Sequence, residues 1–272
     1  MSFRAVVFDL DGTLLNSDKK INPENCDAIR NLQKQGIEVL LATGRHPQAT
    51  HFIYSELGLN GLVICCNGAC IYDYHAMQPV FSNPLGNREI EGVYKLCRKH
   101  GIAVKLYTDQ TIVYEESDAY IDYLMAYREK FPHEAQINLE KVNDYPSFFM
   151  KSPIIWKYVL RADDHSSMKA LAQDAADQYA VSCEWWSEDG LDITCADNTK
   201  GNTLARWAEM KQISLQDIMA FGDNCNDISM LSRAGMGVAM GQASAEVQSH
   251  ADIVAPGNND SDAIARILQK YF

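Results

Sequence analysis

Short apolar runs alternate with amphipathic helical segments over the first and last thirds of this chain, and that rhythm admits few architectures. Ala5 to Phe8, Ile37 to Ala42 and Leu62 to Cys66 read as strands. Between them, Asn22-Pro23-Glu24 supplies a cap, a proline at the first helical position and an acid in the first turn. Ile29 and Leu32 share a helix face, and Gly36 stops that helix. A second helical segment around Phe52, Ile53, Glu56 and Leu57 ends at Gly58. Strands joined through helices of this length form parallel βαβ units, with both faces of the sheet covered.

The rhythm returns after Lys200. Leu204 and Trp207 mark a helix, Ile218 to Gly222 a strand, and Ile228 and Leu231 a short helix. Strands at Gly237 to Met240 and Ile253 to Ala255 precede a C-terminal helix carrying Ile264, Ile267, Leu268 and Tyr271. The outer thirds are therefore expected to share one sheet. From about Pro84 to Ala196 the chain is richer in aromatics, with helices expected at Ile90 to His100 and Ser166 to Tyr179. Strands are expected there at Ala103 to Tyr107, Ile112 to Tyr114, Ile154 to Leu160, Val181 to Trp186 and Leu191 to Thr194. This stretch reads as an inserted α/β domain.

With 272 residues, 47% of them hydrophobic, the chain can bury a sizeable core in one large domain or two smaller ones. A formal net charge of −12 excludes a nucleic-acid partner, because no basic tract offsets repulsion from phosphate backbones. An anionic substrate must be drawn in by a local positive site. No run approaches the ~18 apolar residues of a membrane span, and the N-terminus does not read as a signal peptide. A cytoplasmic location with no membrane and no obligate protein partner is expected. The eight cysteines show no paired zinc spacing, and Cys65, Cys66 and Cys70 read as buried free thiols.

Function is concentrated at the strand ends. Asp9 and Asp11 follow Ala5 to Phe8, at the carboxyl end of a strand where open α/β sheets place ligands. Two carboxylates about 4 Å apart repel by roughly 4 kcal/mol at an effective dielectric near 20, so a cation is expected beside them. Metal-assisted attack by a carboxylate on a phosphoryl group fits that pair, whereas a plain D-x-D-G turn explains it only in isolation. Thr43-Gly44 offers a hydroxyl and an amide that an anion can approach closely, although with Arg45 it is also an ordinary strand-to-helix turn. Gly222-Asp223-Asn224-Cys225-Asn226-Asp227 puts acids beside the first pair if the two strands are neighbours. Helix capping alone needs fewer acids. Lys200 stands at a helix start, where the dipole disfavours a cation, and could neutralise phosphate charge.

In order, Asp9-Leu10-Asp11-Gly12-Thr13, Thr43-Gly44-Arg45, Lys200-Gly201 and Gly222-Asp223 with Asn226-Asp227 resemble the four signature motifs of the haloacid dehalogenase-like phosphatase superfamily. The Asn67-Gly68-Ala69 turn and the insertion after it are similar to the Cof-type branch. The resemblance covers essentially the whole chain. It implies a Rossmann-like parallel sheet core over residues 1–83 and 197–272, and an inserted smaller α/β cap of C2B type over 84–196.

The resemblance also implies roles. Asp9 would be the nucleophile that forms an aspartyl-phosphate, and Asp11 the acid and base for the leaving group and the water. Mg2+ would be held by Asp9, the Asp11 carbonyl and Asp223, with Asp227 further out. Phosphate oxygens would meet Leu10, Thr43, Gly44, Lys200 and Asn226. The substrate would be a small-molecule phosphate ester. Stretches such as Ile64 to Gly68, Tyr72 to Ala76 and Ala220 to Leu231 are similar to pyridoxal phosphate phosphatases within the branch. Broad action on sugar phosphates, nucleotides or flavin phosphate, or phosphotransfer, are the alternatives. Trp156, Lys157, Trp185, Trp186 and His75 could meet an aromatic leaving group but read more simply as packing.

Overall fold

A computed structural model describes residues 3–129 and 136–272. In chain order the first segment holds β1 (Ala5–Phe8), α1 (Pro23–Lys34), β2 (Glu38–Ala42), α2 (Pro47–Glu56), β3 (Val63–Cys65), β4 (Cys70–Asp73) and β5 (Gln78–Ser82). The middle holds α3 (Asn87–Lys99), β6 (Val104–Thr108), β7 (Ile112–Tyr114), α4 (Ala119–Arg128), β8 (Leu139–Lys141), α5 (Tyr145–Phe149), β9 (Ile155–Arg161), α6 (His165–Gln178), β10 (Val181–Ser187) and β11 (Gly190–Cys195). The last segment holds α7 (Lys200–Lys211), β12 (Ile218–Gly222), α8 (Ile228–Leu231), β13 (Met236–Ala239), α9 (Ala245–Ser249), β14 (Ile253–Val254) and α10 (Ala263–Tyr271).

The chain divides into two compact units. One comprises Met1–Gly44, Ile53–Phe81 and Thr199–Phe272, the other Arg45–Phe52 and Ser82–Asn198. The first is built on an eight-stranded sheet of order β14-β13-β12-β1-β2-β3-β4-β5, parallel from β14 to β3, with β4 antiparallel to β3. The outer thirds thus share one sheet, as their rhythm requires. Both faces of β1 and β12 are buried, which is why these strands read as unbroken apolar runs. Ala5, Val7, Ile218 and Ala220 meet Leu204 and Trp207 of α7 and Met230 and Leu231 of α8. The helices α1 and α10 pack together and bury Ile29, Leu32, Ile264, Ile267 and Leu268. Each such side chain contributes about 1.5–3 kcal/mol when fully buried.

One local expectation changes and another holds. Asn22 precedes α1 but caps nothing with its side chain; its amide instead donates to the carbonyls of Asn259 and Ser261, tying two loops together. All eight cysteines are free, and Cys65, Cys66 and Cys70 are buried as expected, while Cys183 and Cys195 are half-buried and Cys225 is exposed.

The second unit carries a six-stranded sheet of order β10-β11-β9-β6-β7-β8, antiparallel except for β7 with β8. Its period-two pattern splits cleanly. Val104, Leu106, Tyr158, Leu160, Leu191 and Ile193 form a core with Ile90, Val93 and Leu96 of α3 and Met168 and Leu171 of α6. The intervening residues Lys105, Tyr107, Lys157, Asp192 and Thr194 are buried and mostly polar. Lys157 Nζ lies 2.5 Å from Asp192 Oδ2, and Lys105 pairs with Asp118, the residue that caps α4. His46 belongs to this unit: its Nε2 lies 2.9 Å from the Thr108 carbonyl oxygen, and its ring stands edge-on to Tyr107.

Candidate active site

Parallel pairing of β1 with β12 sets Phe8 beside Phe221, their rings stacked at 5.0 Å, so the residues that follow each strand emerge side by side. Asp9 is carried by the end of β1 and Asp223 by the end of β12, and the Asp9 amide donates to the Phe221 carbonyl oxygen. Close approach of the two loops requires Gly12. Its φ of +84° lies in the left-handed region, and a Cβ there would collide with the Asp223 carboxylate. Thr13 fixes that carboxylate by donating its hydroxyl to Asp223 Oδ1 at 2.8 Å.

Lys200 is the first residue of α7, directly after the capping Thr199, and it is completely buried. Its Nζ lies 2.5 Å from Asp9 Oδ1 and 2.6 Å from Asp227 Oδ1. Two carboxylates thereby offset the unfavourable dipole at that helix start. Asp227 also shapes the backbone, because its Oδ2 accepts from the amides of Asp223 and Asn224 and so holds the turn after β12. One residue thus serves both as cap and as counterion.

The carboxylates of Asp9, Asp223 and Asp227 come within 4.8 Å of one another, in a group that could hold a metal ion. Hard carboxylate oxygens of this kind suit a small divalent cation. Burial drives the Asp9 carboxyl well above its ordinary pKa, with Asp227 and Asp223 adding to the effect and Lys200 opposing it. Asp223 is raised to about 7 by burial and by Asp227, against the Thr13 hydroxyl and Lys200. Burial works against the charge on Lys200, but Asp227 and Asp9 hold its pKa above the ordinary value. One ammonium is too little for two buried carboxylates and a half-buried third, so the donor set fits an added cation.

Asp11 is not part of that group. Its carboxylate takes Lys19 Nζ at 2.9 Å, with both side chains more than two-fifths exposed. Leu10 is fully buried and its carbonyl oxygen accepts from the amides of Thr13 and Leu15, closing the turn after β1. Thr43 is buried and its amide donates to the Ile64 carbonyl oxygen. Gly44 lies against Asn67, whose Oδ1 accepts from Asn226 Nδ2 at 3.2 Å. Asn67 and Thr13 belong to motifs legible in the sequence, yet only the fold shows what they touch. Asp227, expected further out, sits within the carboxylate group.

The aromatic residues of the second unit have ordinary surroundings. Trp156 Nε1 donates to Ser82 Oγ, Trp185 packs against that unit's core, and Lys157 is paired with Asp192. In the first unit, the His75 amide donates to Asp73 in the turn between β4 and β5.

Residues 6–268 match the family described as haloacid dehalogenase-like hydrolase. The pyridoxal phosphate phosphatase YbhA of Escherichia coli is 33% identical over 271 residues, covering 100% of this chain and 99% of that protein. The HMP-PP phosphatase of Yersinia pseudotuberculosis (strain IP32953) is 29% identical over 241 residues, covering 89% and 85% of the two chains. A haloacid dehalogenase-like hydrolase from B. subtilis of known structure superposes with a TM-score of 0.87 at 26% identity, covering 99% of this chain and 100% of that one. Among the described residues no helix is long and apolar enough to cross a membrane.

Proposed function

The chain belongs to the haloacid dehalogenase-like hydrolase family and is a phosphatase, and from that premise we propose that it hydrolyses small phosphate monoesters through an aspartyl-phosphate on Asp9, with pyridoxal 5′-phosphate the foremost substrate. The observation that carries the reading is the buried Asp9 carboxylate, held by Lys200 at 2.5 Å and grouped with Asp223 and Asp227 at the ends of two neighbouring parallel strands. The substrate rests on the likeness to the E. coli enzyme.

Lys200 binds Asp9 through Oδ1, which orients the other carboxylate oxygen as the nucleophile. That oxygen bonds to phosphorus as the ester P–O bond breaks, and Asp11 gives its proton to the departing alkoxide. Water then attacks the aspartyl-phosphate, Asp11 takes a proton from it, and inorganic phosphate leaves with Asp9 restored. Asp11 becomes available for this role by releasing Lys19, an exposed ion pair worth about 0–1 kcal/mol. Lys200, with the backbone at Leu10 and Gly44, Thr43 and the Asn226 amide, would grip the phosphate oxygens. Asp9, Asp223 and the Asp11 carbonyl, with Asp227 in the same carboxylate group, would hold Mg2+, which would supply positive charge against the phosphoryl oxygens.

The test is phosphate release from pyridoxal 5′-phosphate, sugar phosphates, nucleotides and flavin mononucleotide, with Mg2+ and after chelation, alongside folded Asp9→Asn. Release that needs Mg2+ and is lost in Asp9→Asn, fastest on pyridoxal 5′-phosphate, supports the full reading. Equal rates across the panel replace the substrate with a broad one. Turnover by Asp9→Asn removes the nucleophile.

A further inference from the structure

The turn between β3 and β4 has an unusual backbone. Cys66, Asn67 and Gly68 lie consecutively at φ values of 53°, 56° and 92°, all in the left-handed region. For non-glycine residues that conformation costs of order 1–3 kcal/mol each, and it persists only where the surroundings enforce it. They do so here. The Asn67 amide donates to the Thr43 carbonyl oxygen at 3.1 Å, and the Gly68 carbonyl oxygen accepts from Thr203 Oγ1 at 2.8 Å. What the turn gains is the placement of one side chain: Asn67 is 1% exposed, and its Oδ1 accepts from Asn226 Nδ2. The same oxygen faces Gly44 so closely that a Cβ there would come within 2.8 Å of it.

We propose that Asn67 is a positioning residue that fixes which end of the Asn226 amide faces the phosphate. A carboxamide presents two hydrogens on nitrogen and an acceptor on oxygen. With one Nδ2 hydrogen given to Asn67, the second is aimed by geometry, and the carbonyl end is turned away. Rotated by half a turn, Asn226 would present an oxygen to an anion, and attraction would become repulsion. The Asn67 side chain meets the phosphate grip at Asn226 and Gly44, and its backbone amide meets it at the Thr43 carbonyl oxygen. The inference rests on the phosphatase reading of the site, and it adds to that site a residue at a position the grip itself does not contain.

The experiment is a double-mutant cycle between positions 67 and 226, read by KM and kcat for an ester that the wild type turns over, and by titration calorimetry with inorganic phosphate in Mg2+. Asn67→Gly retains the left-handed backbone and removes the amide. It should raise KM and the phosphate Kd roughly tenfold, in line with one lost hydrogen bond to a charged group, with a smaller change in kcat. In Asn226→Ala the same change should have less than about a twofold effect, since nothing remains to be oriented. Asn67→Asp keeps the shape and the acceptor, so Asn226→Ala should cost as much in that background as in the wild type. This second variant carries the test if Asn67→Gly does not fold. Equal effects of Asn67→Gly with and without Asn226, or loss of the Asn226→Ala penalty in Asn67→Asp, would overturn the proposal. A folded wild type that releases phosphate from no ester would instead count against the phosphatase reading, while phosphate calorimetry would still decide the role of Asn67.

Discussion

Each of the two units buries lysine against carboxylate, and the two arrangements differ in arithmetic. In the second unit Lys157 pairs with Asp192, across strands of the same sheet, with both side chains 4% exposed. In the first, a fully buried Lys200 faces Asp9 and Asp227 while Asp223 stands beside them. The balanced pair carries no net charge, so the attraction between its partners works against the cost of burying them. The unbalanced group holds more negative than positive charge, and burial together with Asp227 raises the pKa of both Asp9 and Asp223. Burial of charge is therefore no mark of function by itself; an excess of one sign among buried groups is.

The largest expected effect tests the unbalanced side. Lys200→Met should lower the rate of phosphate release by ~10²- to 10³-fold, as loss of a transition-state donor does. It should also lower the unfolding free energy by about 3–5 kcal/mol, because the buried carboxylates lose the ammonium they share. Added Mg2+ should restore part of that stability in urea unfolding; an unchanged rate would dissolve the contrast. Next, Lys157→Met should cost a similar ~3–5 kcal/mol with no recovery in Mg2+, and the double change with Asp192→Leu should regain most of it. Recovery of the single variant by Mg2+ would show the two regions to be alike.

A third measurement adds a charge to the balanced side. Burial, together with Lys157, lowers the His46 pKa to about 4, opposed by the hydrogen bond to Thr108. The folded state therefore prefers neutral imidazole, and the unfolded chain binds the proton more readily. The stabilisation is complete above the ordinary value of about 6.5 and is lost as pH falls through about 4, up to about 3 kcal/mol. Unfolding free energies from pH 7.5 to 4 should slope less in His46→Gln by about that amount, and parallel curves would refute it. The smallest effect belongs to Lys19→Ala, which should change stability by no more than about 1 kcal/mol, since its ion pair is exposed. A larger loss would mean that charge is as costly to lose at the surface as inside.

Much of this architecture is written in local pattern. Ala5–Phe8, Ile112–Tyr114 and Ile218–Gly222 stand at the limits expected for them, since apolar β-branched or aromatic runs closed by turn residues have a single reading. Strands β4 and β5 had no such signal. Tyr72 and Asp73 dilute one run, and Pro79 sits in the other, which is tolerable because β5 is at the sheet edge. Helix α4 gives no amphipathic signal because Met125, Ala126 and Tyr127 add to Tyr120, Ile121, Tyr123 and Leu124, so apolar residues run round the helix instead of lining one face. At the site, the spacing of Asp9 and Asp11 and the run from Gly222 to Asp227 were visible because their chemistry is crowded into a few residues. Asn67 stands in a legible turn motif, but its contacts are not legible, because they lie with Gly44 and Asn226, far along the chain in both directions. Nor could any pattern show that Asp11 is turned toward Lys19.

The chain passes between the two units four times rather than twice, because Arg45–Phe52 is grouped with Ser82–Asn198. Grafting only residues 82–198 onto a related scaffold would leave behind His46, the imidazole that caps the Thr108 carbonyl and stands against Tyr107 and Trp156. A chimaera that exchanges the second unit whole must therefore carry two pieces of gene, and the shorter begins directly after Gly44. Recombination at the obvious borders of the insertion would inherit an incomplete module, so change in the second unit is tied to change directly after Gly44.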